Sequence, residues 1–126
     1  MRRGKHIVRA TSQGRGFFCI VELDSHLNPA GGRELNSAGV EDAFLSAIHF
    51  GIDCALEKTG RRGAGWEVVV VHFQTMSVDS SLEAVAAATA GAVLDAFGEE
   101  IPPFVDRGGV HLPKRIAALR PADGEM

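Results

Sequence analysis

Ser12-Gln13-Gly14-Arg15-Gly16 is the segment of this sequence with the clearest capacity for chemistry. Two glycines one residue apart let backbone N–H groups approach a ligand closely, and the Arg15 guanidinium adds a planar cation suited to phosphate. The same residues also suit a plain hairpin turn, in which the glycines serve only backbone geometry. Asp79-Ser80-Ser81 sets hydroxyls beside a carboxylate, the raw material of a nucleophile, but it opens a helical pattern and is read as a cap. Asp53 and Glu57 are four apart and share a helix face. Paired carboxylates can do acid–base work, while a solvated helix face is the ordinary reason for such a pair. Arg61-Arg62, followed by small residues, offers either a phosphate contact or a well-hydrated connection.

The five histidines, His6, His26, His49, His72 and His111, are scattered singly without metal-ligand spacing, so no metal site is expected. Cys19 and Cys54 sit among apolar neighbours and form no C-x-x-C, which favours two buried free thiols over a bridge. No G-x-x-x-x-G-K-[ST] occurs, so no nucleotide phosphate is cradled in that manner. No catalytic residue and no cofactor are expected.

The elements that must position these groups follow from periodicity. His6 to Ser12 is a β-branched stretch that suits a strand, and Phe17 to Leu23 suits another. With Gln13 to Gly16 as a four-residue tip, residues 5–24 read as a β-hairpin. Residues 25–39 contain Asn28-Pro29, Gly31-Gly32 and Gly39 and read as a long loop. From Val40 to Lys58 the apolar residues Phe44, Ile48, Ile52, Ala55 and Leu56 recur at helical spacing, with Glu41 and Asp42 in the first turn. Thr59-Gly60 ends that helix. Trp66 to Phe73, with its valine run at 68–71, reads as a central strand, and Gln74 to Val78 as a short loop. Ser80 and Glu83 form a capping box for an alanine-rich helix that Gly98 and Pro102-Pro103 bring to a stop. Phe104-Val105 can begin a short edge strand, and residues 113–120 a short helix in a frayed tail. This order of elements suits a two-layer α+β sandwich with its helices on one face of the sheet.

At 126 residues, 45% apolar and 23% charged, the chain fits one globular domain, with a core over about residues 5–106 and a tail from 107 to 126. No signal-peptide pattern and no membrane-length apolar run is present, which leads to a cytoplasmic expectation. The net charge of −3 argues against indiscriminate nucleic-acid binding. Arg2, Arg3, Lys5, Arg9 and Arg15 nevertheless make the first fifteen residues basic and acid-free.

Read together, Gly51-Ile52, the connection Arg61 to Gly65, the strand Val68 to Phe73, Val78-Asp79-Ser80-Ser81 and the helix from Leu82 to Phe97 resemble domain IV of elongation factor G, the bacterial translocase. Lys5-His6 through Thr11 to Arg15-Gly16 is similar to that family's basic strand and Gly-rich loop, so the resemblance runs from about Lys5 to Val105. It implies a four-stranded sheet with two helices and a left-handed βαβ crossover, the opposite of the usual hand. It also implies that two loops at one end of the domain contact RNA in the decoding region of the small ribosomal subunit. The matching positions here are Ser12, Gln13, Gly14, Arg15 and Gly16 in the first loop and Gln74, Thr75, Met76 and Ser77 in the second.

The sequence departs from that family in three ways. The GTPase domain is absent. Met76-Ser77 stands where a histidine is usual, in a loop about one residue shorter. Phe17 replaces a glutamine. The leading expectation is a non-enzymatic module that binds the ribosome or structured RNA through residues 12–16 and 74–77, without nucleotide or membrane. The alternative is a protein-interaction or self-assembling domain that kept the fold and lost the RNA role, with Phe17-Phe18 as exposed anchors.

Overall fold

The computed structural model describes residues 2–12, 15–28, 31–37, 39–61, 65–76, 81–102, 104–106 and 109–110, leaving aside the side chains of 10–12, 15–17, 105–106 and 109–110. A four-stranded mixed sheet in the order β1-β2-β4-β3 carries two helices. Strand β1 (Arg2–Ser12) and β2 (Arg15–Asn28) form a long antiparallel hairpin, β2 pairs antiparallel with β4 (Gly65–Thr75), and β3 (Arg33–Asn36) lies parallel to β4 at the edge. Helix α1 (Leu45–Lys58) connects β3 to β4, making a βαβ unit, and α2 (Leu82–Ala96) follows β4. A separate pair of two-residue strands, β5 (Val105–Asp106) and β6 (Gly109–Val110), is antiparallel.

Side-chain alternation decides which face of the sheet is covered. On β2, Cys19, Val21, Leu23 and Ser25 are buried, whereas the alternate residues Ile20, Glu22, Asp24 and His26 are only half-buried. Trp66, Val68 and Val70 of β4 and Val8 of β1 join the buried set, and Ile48, Ile52 and Leu56 of α1 with Val85, Val93 and Leu94 of α2 close over them. Helix α1 rests on the β4 side of the sheet, with Phe44 against Phe73 and His49 against Trp66. Cys19 and Cys54 are both buried, and burial pushes the Cys19 thiol up to about 12.

Helix α2 is buried at every residue from Ala84 to Leu94, an environment that demands small side chains. Two contacts show why. A Cβ on Gly51 of α1 would lie 2.5 Å from the Ala86 carbonyl oxygen, so the two helices touch backbone to backbone. A Cβ on Gly4 of β1 would strike the Ala92 carbonyl and the Ala96 amide, so the opposite side of α2 lies directly on β1. The one hydroxyl in this stretch, on Thr89, donates to the Val85 carbonyl at 2.7 Å and so costs nothing in lost hydration. The helix begins at Ser81, whose hydroxyl accepts from the Ala84 amide at 3.1 Å. The expected cap at Ser80 therefore moves one residue on, and the capping box with Glu83 is not formed, since Ala84 occupies the third helical position.

Other expectations are also corrected. The region 25–39 is not all loop: β2 runs on to Asn28 and β3 follows. A four-residue strand between glycines carries no periodic signal, and it exists because β4 offers an open edge to pair with. The first turn of the 40–58 helix is a 3-10 turn at Asp42–Phe44. The Phe104-Val105 strand pairs with β6 and does not extend the main sheet. The short helix expected at 113–120 lies outside the described residues. No helix among the described residues is long and apolar enough to cross a membrane.

Candidate functional site

The hairpin of β1 and β2 is longer than its neighbours, and this places the first candidate segment. The pairing of the two strands runs out to Ser12 opposite Arg15. Arg15 and Gly16, expected in the turn, belong to β2. Strand β4 stops at Thr75, which pairs with Cys19, so the hairpin overhangs the sheet from Arg15 to Cys19. At about 3.4 Å per residue, the four steps from Cys19 to Arg15 give a projection of roughly 14 Å. Gln13, Gly14 and Ser77 themselves lie outside the described residues.

The second candidate segment is corrected in kind. Gln74 and Thr75 were expected in a loop but are the last residues of β4. Met76 follows the strand and is 48% exposed. What aims these residues is a bulge. Glu22 pairs with His72 and Leu23 with Val70, so Val71 is the extra residue on β4. Before it, even-numbered residues face the helices; after it, Phe73 and Thr75 do. His72 and Gln74 consequently turn to the open face, where both are exposed. Gln74 sits beside Ile20, which in turn sits beside Ile7 of β1.

The open face is graded in charge along β1. Arg3 is occupied: its guanidinium bonds Asp24 at 2.5 and 3.1 Å and Glu22 at 3.3 Å. That contact pushes the Arg3 pKa up and holds the Asp24 carboxyl below its ordinary range. Lys5 and Arg9 lie on the same face further toward the tip, and the Arg9 guanidinium stacks 5.7 Å above the Phe18 ring. Phe18, expected as an exposed anchor, is 6% exposed. Among the described residues the exposed large apolar side chains are Ile7, Val71 and Met76 instead. Phe17's side chain is not described.

The remaining candidates resolve into structural roles. Both Asp53 carboxylate oxygens accept from Arg33 at 2.6 Å, and that guanidinium also stacks on Trp66, so Asp53 anchors α1 to β3. His49 packs on the other side of this group, where burial first and the Arg33 charge second lower its pKa. His6 is covered by α2 at Gly91, and burial lowers its pKa too, against the opposing pull of Asp95. Asp95 accepts from the Lys5 backbone amide at 3.0 Å, satisfying an outward N–H of the sheet edge.

No protein-family model matches this sequence, and neither does any curated protein. A solved structure does. The chain is similar to a crystal structure from Thermus thermophilus, with a TM-score of 0.60 and 26% identity over 72% of this chain. It spans 14% of that chain's length, so the fold described here is one part of a much larger protein there.

One feature of the described surface escaped the sequence. A cavity of about 370 Å³ opens at the end of the sandwich away from the hairpin tip, lined by Arg2, Ser25, His26, Leu27, Arg61 and Phe97. These residues come from four separate elements and turns. The only advance sign was the basic character of Arg2 and Arg61.

Proposed function

We propose that this protein is a non-enzymatic module of the elongation factor G domain IV type, binding structured RNA or a ribosomal surface through residues 12–16 and 74–77. The observation that carries the reading is the projecting hairpin, with the bulge-directed end of β4 at its base. A finger overhanging its own sheet, with Lys5 and Arg9 on the adjoining open face, has the reach and charge to enter a groove of folded RNA. Similarity at 26% identity to 14% of a Thermus thermophilus chain is compatible with a fold that also occurs as part of a longer protein. In this role the phosphate contacts supply affinity, and the glycines allow the close approach of backbone.

Co-sedimentation with purified ribosomal subunits across a salt series tests the reading. Saturable binding to the small subunit, weakening as salt rises and lost on Arg15→Glu, is the expected result. Absence of binding at low salt refutes it.

A second reading has its own support. Ile7, Val71 and Met76 are exposed on or beside the open sheet face, which fits a protein-interaction or self-assembling domain. Under that reading Ile7→Lys and Val71→Lys disrupt association while Arg15→Glu leaves it intact.

A further inference from the structure

We infer that the cavity at the blunt end of the sandwich is a binding site for a small phosphate-bearing molecule. The site is remote from the hairpin tip, since it uses the first residues of β1, the last of β2 and the ends of both helices.

Its construction begins with two helix endings of the same design. At the end of α1, the Gly60 amide donates to Glu57 and the Arg61 amide to Leu56, with Gly60 at φ +77°. At the end of α2, the Gly98 amide donates to Asp95 and the Glu99 amide to Leu94, with Gly98 at φ +71°. Only glycine takes that left-handed conformation without strain, and the resulting turns fix the residues on either side of it. Arg61 and Phe97 are therefore held face to face, the guanidinium 5.1 Å from the ring centroid. Strand register completes the wall: Arg2 pairs with Ser25, and Leu27 pairs with Trp66 at the start of β4.

The lining selects for a particular chemistry. Its side chains supply two guanidinium groups, a hydroxyl and two apolar walls, and no carboxylate is among the lining residues. Ser25 is 1% exposed and lines the floor of the cavity. His26 turns its imidazole to the open face, where Nε2 contacts Glu67 at 3.2 Å, so only its backbone borders the cavity. Two arginines on separate elements match a group with several equivalent oxygens better than a single carboxylate. The volume of about 370 Å³ lies in the range of small-molecule pockets and leaves space beside Leu27 and Phe97 for an apolar body.

Opposing charges are near and weaker. Each helix C-terminus carries about half a negative charge, and both have their last carbonyls engaged in the glycine turns. Glu99 reaches Arg61 only at 3.7 Å and is exposed. Glu99 thus acts as a competitor for Arg61, which gives the proposal a test with two opposite signs.

The experiment is a titration of the full-length protein with phenyl phosphate, followed by amide chemical shifts, with benzoate and inorganic phosphate titrated in parallel. The expected result is saturable shifts at Ser25, His26, Leu27, Arg61 and Phe97, with phenyl phosphate the tightest of the three. Arg61→Gln should weaken binding by about tenfold, the usual scale for loss of a charged hydrogen bond, and Glu99→Gln should tighten it severalfold. Thermal unfolding of each variant separates loss of the site from loss of the fold. Non-saturating shifts, shifts spread along Lys5 and Arg9, equal binding of benzoate, or an unchanged dissociation constant in Arg61→Gln would each overturn the assignment. Ribosome co-sedimentation of the same variants keeps this site distinct from the hairpin, because Arg61→Gln should leave that binding unchanged.

Discussion

Replacing Gly51 by alanine tests the packing on which the whole two-layer arrangement rests. In an ordinary helix interior this change is favourable by about 1 kcal/mol, because alanine loses less backbone freedom on folding. Here the new Cβ would stand 2.5 Å from the Ala86 carbonyl oxygen, 2.8 Å from the Thr89 Cβ and 3.1 Å from the Ala90 amide. Two of those three atoms are backbone, and the third cannot rotate away. The helices must separate by about 0.8 Å to restore ordinary contact, and the facing side chains lose dispersion contacts as they do. Overpacking of this kind costs about 1–3 kcal/mol and more where the neighbours are rigid. We place the net effect at about 2–3 kcal/mol of destabilisation after the propensity gain. For a domain of this size that corresponds to a fall in Tm of roughly 10 °C. Urea unfolding followed by circular dichroism, with thermal melts alongside, gives both numbers. Thr89→Ala offers no relief in the double variant, because alanine keeps the obstructing Cβ. A Gly51→Ala protein as stable as the parent, or more so, would refute the close helix contact and leave propensity as the ruling effect.

Two further outcomes follow from individual groups. His6 and His49 both have pKa values lowered mainly by burial, so the unfolded chain binds protons at a higher pH than the folded one. Their stabilising contribution is present above the ordinary histidine range near 6.5 and falls away as the pH drops below it; the urea midpoint should be lower at pH 5.5 than at pH 7.5, and a constant or rising midpoint would contradict this. Ser81→Ala removes the hydroxyl that accepts from the Ala84 amide and should cost about 1 kcal/mol, with Ser81→Asp restoring most of it, whereas Ser80→Ala should be close to neutral.

The parts of this fold that were legible are those whose signal is local. The alanine-rich helix announces itself by its stripe and its stop at Gly98, and the β1–β2 hairpin by two strand-like runs around closely spaced glycines. What was not legible depends on residues far apart in sequence. Strand β3 is a strand only because β4 lies beside it in parallel register. The valine run at 68–71 hides a change of side at Val71, since four identical residues carry no alternation to read. That hidden bulge is what exposes Gln74, and Gln74 and Thr75, expected in a loop, end β4 instead. Phe18 failed for a related reason: facing the open side of a sheet does not make a ring exposed when Arg9 stacks over it.

The two ends of the molecule are built on opposite principles, and this bears on what each can do. At the hairpin end the paired strands β1 and β2 outrun β4. Under the proposed role, the affinity of that end depends on contacts that the partner's surface provides. At the opposite end both helices terminate in glycine turns that fix Arg61 against Phe97 beside a fully buried serine. That lining is fixed before any ligand arrives, which suits a small molecule that brings little binding energy of its own. Rigid helix contacts at Gly51 and Gly4 link the ends, so a ligand at the blunt end has no soft element through which to reposition the hairpin. The expected consequence is independence: phenyl phosphate at saturation should leave RNA or ribosome binding unchanged. A shift in that affinity would show that the α1–α2–β1 contact yields, and it would have to appear equally as altered phenyl phosphate affinity in the presence of the larger partner.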